Sequence, residues 1–217
     1  GVMGADQADV CWPPDGERQD VDLDEFRYAA DTSVLNAVDA IHLMEADLGF
    51  VHFNEPDTVC HMYGPDAVET KERIQQTDAA FGALVERCKS RWDETIMIVV
   101  SDHDQEQVVD YGFDLADVFS QKGLPGVVEN EGTCAVVLDG PDITTLKSID
   151  HIEGASILDD RHSLVWGKPG HIFGPWLEDL HGSHGSPRTS TQVAVVGGGH
   201  PKVKQLASLI SRERPIA

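Results

Sequence analysis

Basic residues are scarce in this chain: 16 Lys and Arg stand against 38 Asp and Glu, giving a formal net charge of -22 over 217 residues. A protein that coats nucleic acid needs a basic footprint to displace counterions, so this balance argues against that class. The ordinary reading of such acidity is a solvated surface, as in a salt-adapted protein, with some carboxylates available as cation ligands. Cysteine is sparse too. Cys11, Cys60, Cys88 and Cys134 show no C-x-x-C spacing and are too scattered to define a disulfide framework. Cys88 falls on the apolar face of an expected helix, and Cys60 reads as a small filler, with metal ligation as its rival role. No run reaches the roughly 20 apolar residues of a membrane span. The opening "GVMGADQADVCWPPDGE" has neither the basic nor the apolar region of a signal peptide. Position 1 is Gly rather than Met, so the first residues read as a processing site or a truncation.

What is present is an ordinary globular composition, 41% hydrophobic and 25% charged. The length suffices for a single α/β domain over 1–217, with residues 1–30 as a loop-rich, Asp- and Pro-bearing lead-in and an N-terminal portion expected to be missing. From Asp31, Leu35, Val38, Ile41 and Met44 recur at helical spacing. "LGFVHFN" (48–54) reads as a short strand. A second helix is expected after Asp66, with Glu69 completing a capping box and Ile74, Phe81, Val85 and Cys88 as its apolar stripe. Asp78 falls on that stripe as a hydrogen-bonded acid. "TIMIVV" (95–100) is an unbroken apolar run, as in a strand buried on both faces. The order helix, strand, helix, strand predicts a doubly wound, largely parallel sheet flanked by helices, holding strands 48–54, 95–100 and 192–196. "DLADVFSQKG" and "DITTLKSIDHI" read as helices, and "GVVEN" and "TCAVVLDG" as strands. "HSLVWGKPGHIFGPW" reads as a hairpin turning at Lys168–Pro169–Gly170, and "PKVKQLASLISRE" as a closing helix.

In such a sheet, ligands gather beyond the carboxyl ends of the strands. Asp57 and His61 in "NEPDTVCHMYGPD" follow one expected strand, and Asp102 and His103 in "SDHDQE" follow another. His184 sits in the Gly- and Ser-rich "HGSHGS" loop before the last. Carboxylate with imidazole is the mixed donor set of zinc and similar divalent ions in hydrolytic sites. Each pair alone means little, since an Asp near a His is usually surface decoration. Three at strand ends weigh more. His181 is a rival ligand to His184. His42 and His52 read as packed or hydrogen-bonded, and His151, His162, His171 and His200 have no assigned partner.

The ordered set "EPDTVCHMYGP", "TDAAFGAL", "TIMIVVSDH" and "HGSHGS" resembles the metal-binding half of the alkaline phosphatase superfamily, in particular the type I phosphodiesterases/nucleotide pyrophosphatases. The resemblance covers roughly residues 31–200. It implies an alkaline phosphatase-like fold and two divalent ions, zinc first and manganese as the alternative, that clamp a phosphoryl group during in-line displacement. Asp57, His61 and His184 would hold one ion, and Asp102 and His103 would contribute to the other. The substrate implied is a phosphate ester or nucleotide, with the Y-G-P after His61 favouring a diester or pyrophosphate.

The chain departs from the family pattern in two ways. Asp104 stands where Gly usually follows S-D-H. Nothing in residues 1–26 looks like the family's upstream Asp or its nucleophilic Thr or Ser, and Ser101 reads as structural. This chain alone is therefore expected to hydrolyse a chromogenic phosphodiester negligibly. Alternatives within the superfamily are a phosphomonoesterase, a phosphonate hydrolase or a phosphoglycerate mutase. From outside it comes a metal-binding remnant without catalysis. Oligomeric state and compartment stay open.

Overall fold

The structure is a computed structural model that describes residues 31–40, 43–174 and 180–210. The lead-in over 1–30, Cys11, Ile41 and His42 lie outside them. In chain order the described residues form α1 (Asp31–Ala40), α2 (Asp57–Tyr63), α3 (Val68–Cys88), β1 (Met97–Val100), β2 (Glu106–Gln107), β3 (Asp110–Phe113) and α4 (Leu115–Lys122). There follow β4 (Val127–Glu131), β5 (Cys134–Leu138), α5 (Ile143–Lys147), β6 (Ile152–Ile157), β7 (His162–Gly167), β8 (His171–Phe173), β9 (Gly182–Ser183), β10 (Ala194–Gly197) and α6 (Val203–Ile210). No helix among them is long and apolar enough to cross a membrane. The chain divides into two compact units, one of residues 31–59, 71–100 and 194–210, the other of 60–70 and 101–193.

In the first unit, Leu35 and Val38 of α1 pack with Leu43, Ala80 and Leu84, and Val51, Phe53 and Phe81 close the cluster. Arg87 ties α3 to α1 through a two-pronged pair with Asp39, at 2.6 and 2.7 Å. Helix α3 begins at Val68 rather than directly after Asp66, and its buried stripe runs through Ala80 and Leu84, leaving Ile74 and Asp78 exposed. The buried positions are thus shifted by one from the expected stripe, of which Phe81 still packs on the cluster.

The strand read at 48–54 is absent. Only Val51 makes a single bridge, and Leu48 and Phe50 are exposed. The segment 95–100 does yield β1, which pairs with β10 in antiparallel register, Met97 opposite Gly197 and Val100 opposite Ala194. Ile98, Val100 and Val195 stay exposed. A continuous apolar run tells that both strand faces are apolar; it carries no information about the direction of the neighbouring strand. The parallel crossover rested on a first strand that these residues do not form.

The second unit is built on a four-stranded sheet in the order β4-β5-β7-β6, antiparallel throughout. Ala135, Val137 and Val165 point from it into a core completed by Leu115 and Phe119 of α4, Leu146 of α5 and Phe173. Asp114 and Asp142 cap the two helices, each accepting from two backbone N–H groups of the following turn. Gly123 closes α4 at a left-handed φ of 63°.

The Lys168–Gly170 turn forms, with His171 N–H donating to Lys168 O at 2.9 Å. It does not make a hairpin, however. Both edges of β7 are already taken by β5 and β6, so β8 pairs instead with β3, Asp110 opposite His171. That is the only parallel pairing among the described strands, so the largely parallel sheet expected from the sequence is not what they form.

Candidate metal centre

Asp57 and His61 lie on a helix, not in a loop. Helix α2 starts directly after Pro56, and Val59 N–H donates to the Glu55 carboxylate at 3.3 Å. Asp57 in the first turn meets the positive end of the helix. A spacing of four then puts Asp57 and His61 on one helical face, one turn apart. The helix ends at Gly64, whose φ of 93° is the left-handed conformation that favours glycine, and whose N–H donates to Cys60 O at 2.8 Å. The Y-G-P signature is therefore first a helix stop, with Pro65 unable to continue the turn. Buried Thr70 secures it by donating to Gly64 O at 2.7 Å. Cys60 is buried, as a filler should be.

A short antiparallel ladder brings the other two motifs together: β2, three residues after His103, pairs with β9, which ends one residue before His184. Glu106 stands opposite Ser183, and Gln107 opposite Gly182. As a result the rings of His103 and His184 stack at 3.6 Å between centroids, 18° from parallel. His61 joins them, its ring 5.1 Å from that of His184. His61 Nδ1 bonds Gly182 O at 2.8 Å, and His103 Nδ1 bonds Asp104 O at 3.1 Å. An Nδ1 that donates to a carbonyl leaves the Nε2 lone pair outward, which is how metal-binding imidazoles are oriented. This donor set fits a zinc-like ion.

Asp102 is exposed, and its carboxylate accepts from His103 N–H at 3.0 Å, with Oδ2 3.5 Å from His103 Nε2. Ser101 is structural as expected: its hydroxyl accepts from Val193 N–H at 2.8 Å and its own N–H reaches Val193 O. Asp104, which replaces the usual glycine, holds the loop from both sides, accepting through its carbonyl from His103 and donating its N–H to Thr189 O. His181 has an exposed ring, and its backbone is tied to His61 O and Val108 N.

The sequence reading missed what fixes the His184 loop. Arg188, four residues on, donates to Glu106 through Nε at 2.9 Å and Nη2 at 3.1 Å, to Gly167 O at 2.9 Å, and to Glu153. Glu106 also accepts from Ser186 Oγ at 2.6 Å and Gly170 N–H at 3.1 Å. Burial pulls the Glu106 carboxyl up. The hydrogen bonds from Arg188, Ser186 and Gly170 and the Arg188 charge outweigh it, so the net displacement is below the ordinary range. Beneath the loop, buried Thr133 accepts from Ser186 N–H at 3.0 Å and donates its own N–H to His184 O. The available hint was Arg188 itself, a guanidinium beside the HGSHGS run in a chain short of cations.

Glycine is required at 182. A Cβ there would lie 2.3 Å from Cys60 O and 2.7 Å from Gln105 Oε1. Gly182→Ala must push β9 off α2 and stretch the His61–Gly182 bond. We expect it to lower stability by about 1–3 kcal/mol, as overpacking does, read from urea unfolding, and to shift the His61 ring resonances. An unchanged midpoint would mean that this contact is loose.

Ectonucleotide pyrophosphatase/phosphodiesterase family member 7 of Mus musculus is 33% identical over 78 residues, 34% of this chain and 18% of that protein. A venom phosphodiesterase of Crotalus durissus collilineatus is 31% identical over 101 residues, 42% of this chain and 12% of that protein. The chain thus spans under a fifth of the length of these curated relatives. Among solved structures, murine ectonucleotide pyrophosphatase/phosphodiesterase 5, inactive and in complex with AMP, superposes with a TM-score of 0.59 at 18% identity, over 82% of this chain and 57% of that one. Phosphonoacetate hydrolase from Sinorhizobium meliloti gives 0.55 at 15% identity, over 80% and 50%. These neighbours show that the fold is alkaline phosphatase-like. The family described as type I phosphodiesterase/nucleotide pyrophosphatase matches residues 7–186, and the chain belongs to it.

Proposed function

We propose that the chain carries the metal-binding part of a phosphoric-ester hydrolase acting on a phosphodiester or nucleotide pyrophosphate. The observation that carries this reading is the convergence of His61, His103 and His184, two of them with Nδ1 already engaged by a backbone carbonyl. Asp57, His61 and His184 would hold one divalent ion, and Asp102 and His103 would contribute to a second, zinc first and manganese as the alternative. When bound, such ions neutralise the phosphoryl charge and polarise its oxygens. The chain's own residues hold the imidazoles in place: the Gly182 and Asp104 carbonyls set ring orientation, and the Glu106–Arg188 pair fixes the His184 loop. No Ser or Thr is assigned as the nucleophile, and Ser101 is occupied by Val193.

The nucleotide side of the reading draws on the AMP complex of the murine neighbour. Its test is calorimetric binding of AMP to the chain with and without zinc. We expect zinc to tighten AMP binding by about 10-fold or more, since the phosphate charge then meets a cation, and His61→Ala to remove the gain. AMP binding that is indifferent to zinc would sink the proposal.

A further inference from the structure

A second group of ligand-type side chains lies outside that centre and shares none of its residues. Asp110, His151 and His171 bring one carboxylate oxygen and two imidazole nitrogens together within 4.8 Å of one another. The edges of this triangle are short and similar: His171 Nδ1 to Asp110 Oδ2 is 3.0 Å, His151 Nδ1 to His171 Nδ1 is 3.2 Å, and His151 Nδ1 to Asp110 Oδ2 is 3.7 Å. A tetrahedral zinc ion with ligands at about 2.0–2.1 Å sets those ligands about 3.3 Å apart. The three atoms therefore outline one face of such a tetrahedron, with the fourth corner left for water.

The backbone holds this arrangement. Asp110 and His171 are partners in the parallel β3–β8 register, which puts their side chains side by side. His151 adopts a left-handed φ of 70°, which is uncommon outside glycine and turns its ring toward them. It is kept there by its own N–H on Asp150 Oδ1 at 2.9 Å, by Lys168 N–H on its carbonyl at 3.0 Å, and by Phe113 stacked on the ring at 4.7 Å. The nearby cation is already engaged, Lys168 Nζ pairing with Asp150 at 2.9 Å.

Hydrogen bonding alone satisfies the triangle poorly. The Nδ1 of a neutral imidazole is either a donor or an acceptor. If His171 Nδ1–H donates to Asp110, it has no lone pair for His151, and the third edge is left to whichever atom holds no proton. A cation at the common focus meets all three lone pairs at once.

We infer that Asp110, His151 and His171 form a further divalent-cation site of the zinc type, which clamps β3, β8 and the turn before β6 to one another. The probe is zinc alone, added to the 217-residue chain carrying His61→Ala and His184→Ala, so that the centre proposed above is disarmed and the two readings fail separately. One equivalent of zinc should still bind, with the ring resonances of His151 and His171 moving together. Adding His171→Ala should weaken that binding by at least about 100-fold, and the near-isosteric Asp110→Asn by about 10-fold. Zinc that leaves both rings unmoved means an ordinary Asp–His contact and overturns the site, as does binding that His171→Ala does not alter. If His171→Ala fails to fold, the ring resonances of the unaltered triangle and the Asp110→Asn variant decide.

Discussion

Replacing His184 by alanine is expected to weaken zinc binding at the ion assigned to Asp57, His61 and His184 by at least about 100-fold. Loss of a partner one shell removed already costs ten- to a hundredfold in metal affinity, so loss of a direct ligand should cost more. The His184 ring lies at the centre of the cluster, stacked on His103 at 3.6 Å and 5.1 Å from His61. The measurement is a zinc titration followed at the His61 ring resonances, which keeps it separate from binding at Asp110, His151 and His171. If His184→Ala leaves that affinity intact, the ligand is His181 or Cys60 instead. Both alternatives are poorly placed: the His181 ring is exposed, and Cys60 is buried in α2.

Glu106→Ala should be the most destabilising single change in the second unit's loop framework, by about 3–5 kcal/mol. Its side chain is only 13% exposed, and that of Arg188 28%. Removing the carboxylate strands a half-buried guanidinium together with the Ser186 hydroxyl and the Gly170 N–H. Replacing both members of the pair by Leu and Met should cost much less than Glu106→Ala alone, because the one charge that then loses its partner, Glu153, is exposed to water. The effect also depends on pH. The folded-state pKa of Glu106 lies below its unfolded value of about 4.3. Its stabilisation is therefore complete above that value and is lost as pH falls through the lower folded one. Urea unfolding of the native chain and of Glu106→Gln should show a gap at pH 7 that narrows on acidification below about 4. A gap independent of pH would mean that packing, rather than the charge, holds the loop.

Elements whose signals are local can be read directly from the chain. Asp114 and Asp142 cap helices where short polar side chains precede apolar periodicity, and β4, β5 and β10 fall where β-branched residues cluster. The sequence also placed the family, because an ordered set of short motifs survives where overall identity is low. Direction and neighbourhood were not legible. The strand expected at 95–100 forms over Met97–Val100, but only its pairing with β10 shows that the neighbour runs antiparallel. Prolines bracket residues 54–66, as in a loop, yet seven of these residues form a helix stopped at Gly64. The sharing of Glu106 between Arg188, Ser186 and Gly170 joins segments some 60–80 positions apart. The triangle of Asp110, His151 and His171 likewise draws on three separate segments. No window of sequence contains such contacts: they arise only when a register such as Asp110 opposite His171 or Glu106 opposite Ser183 has been set by packing.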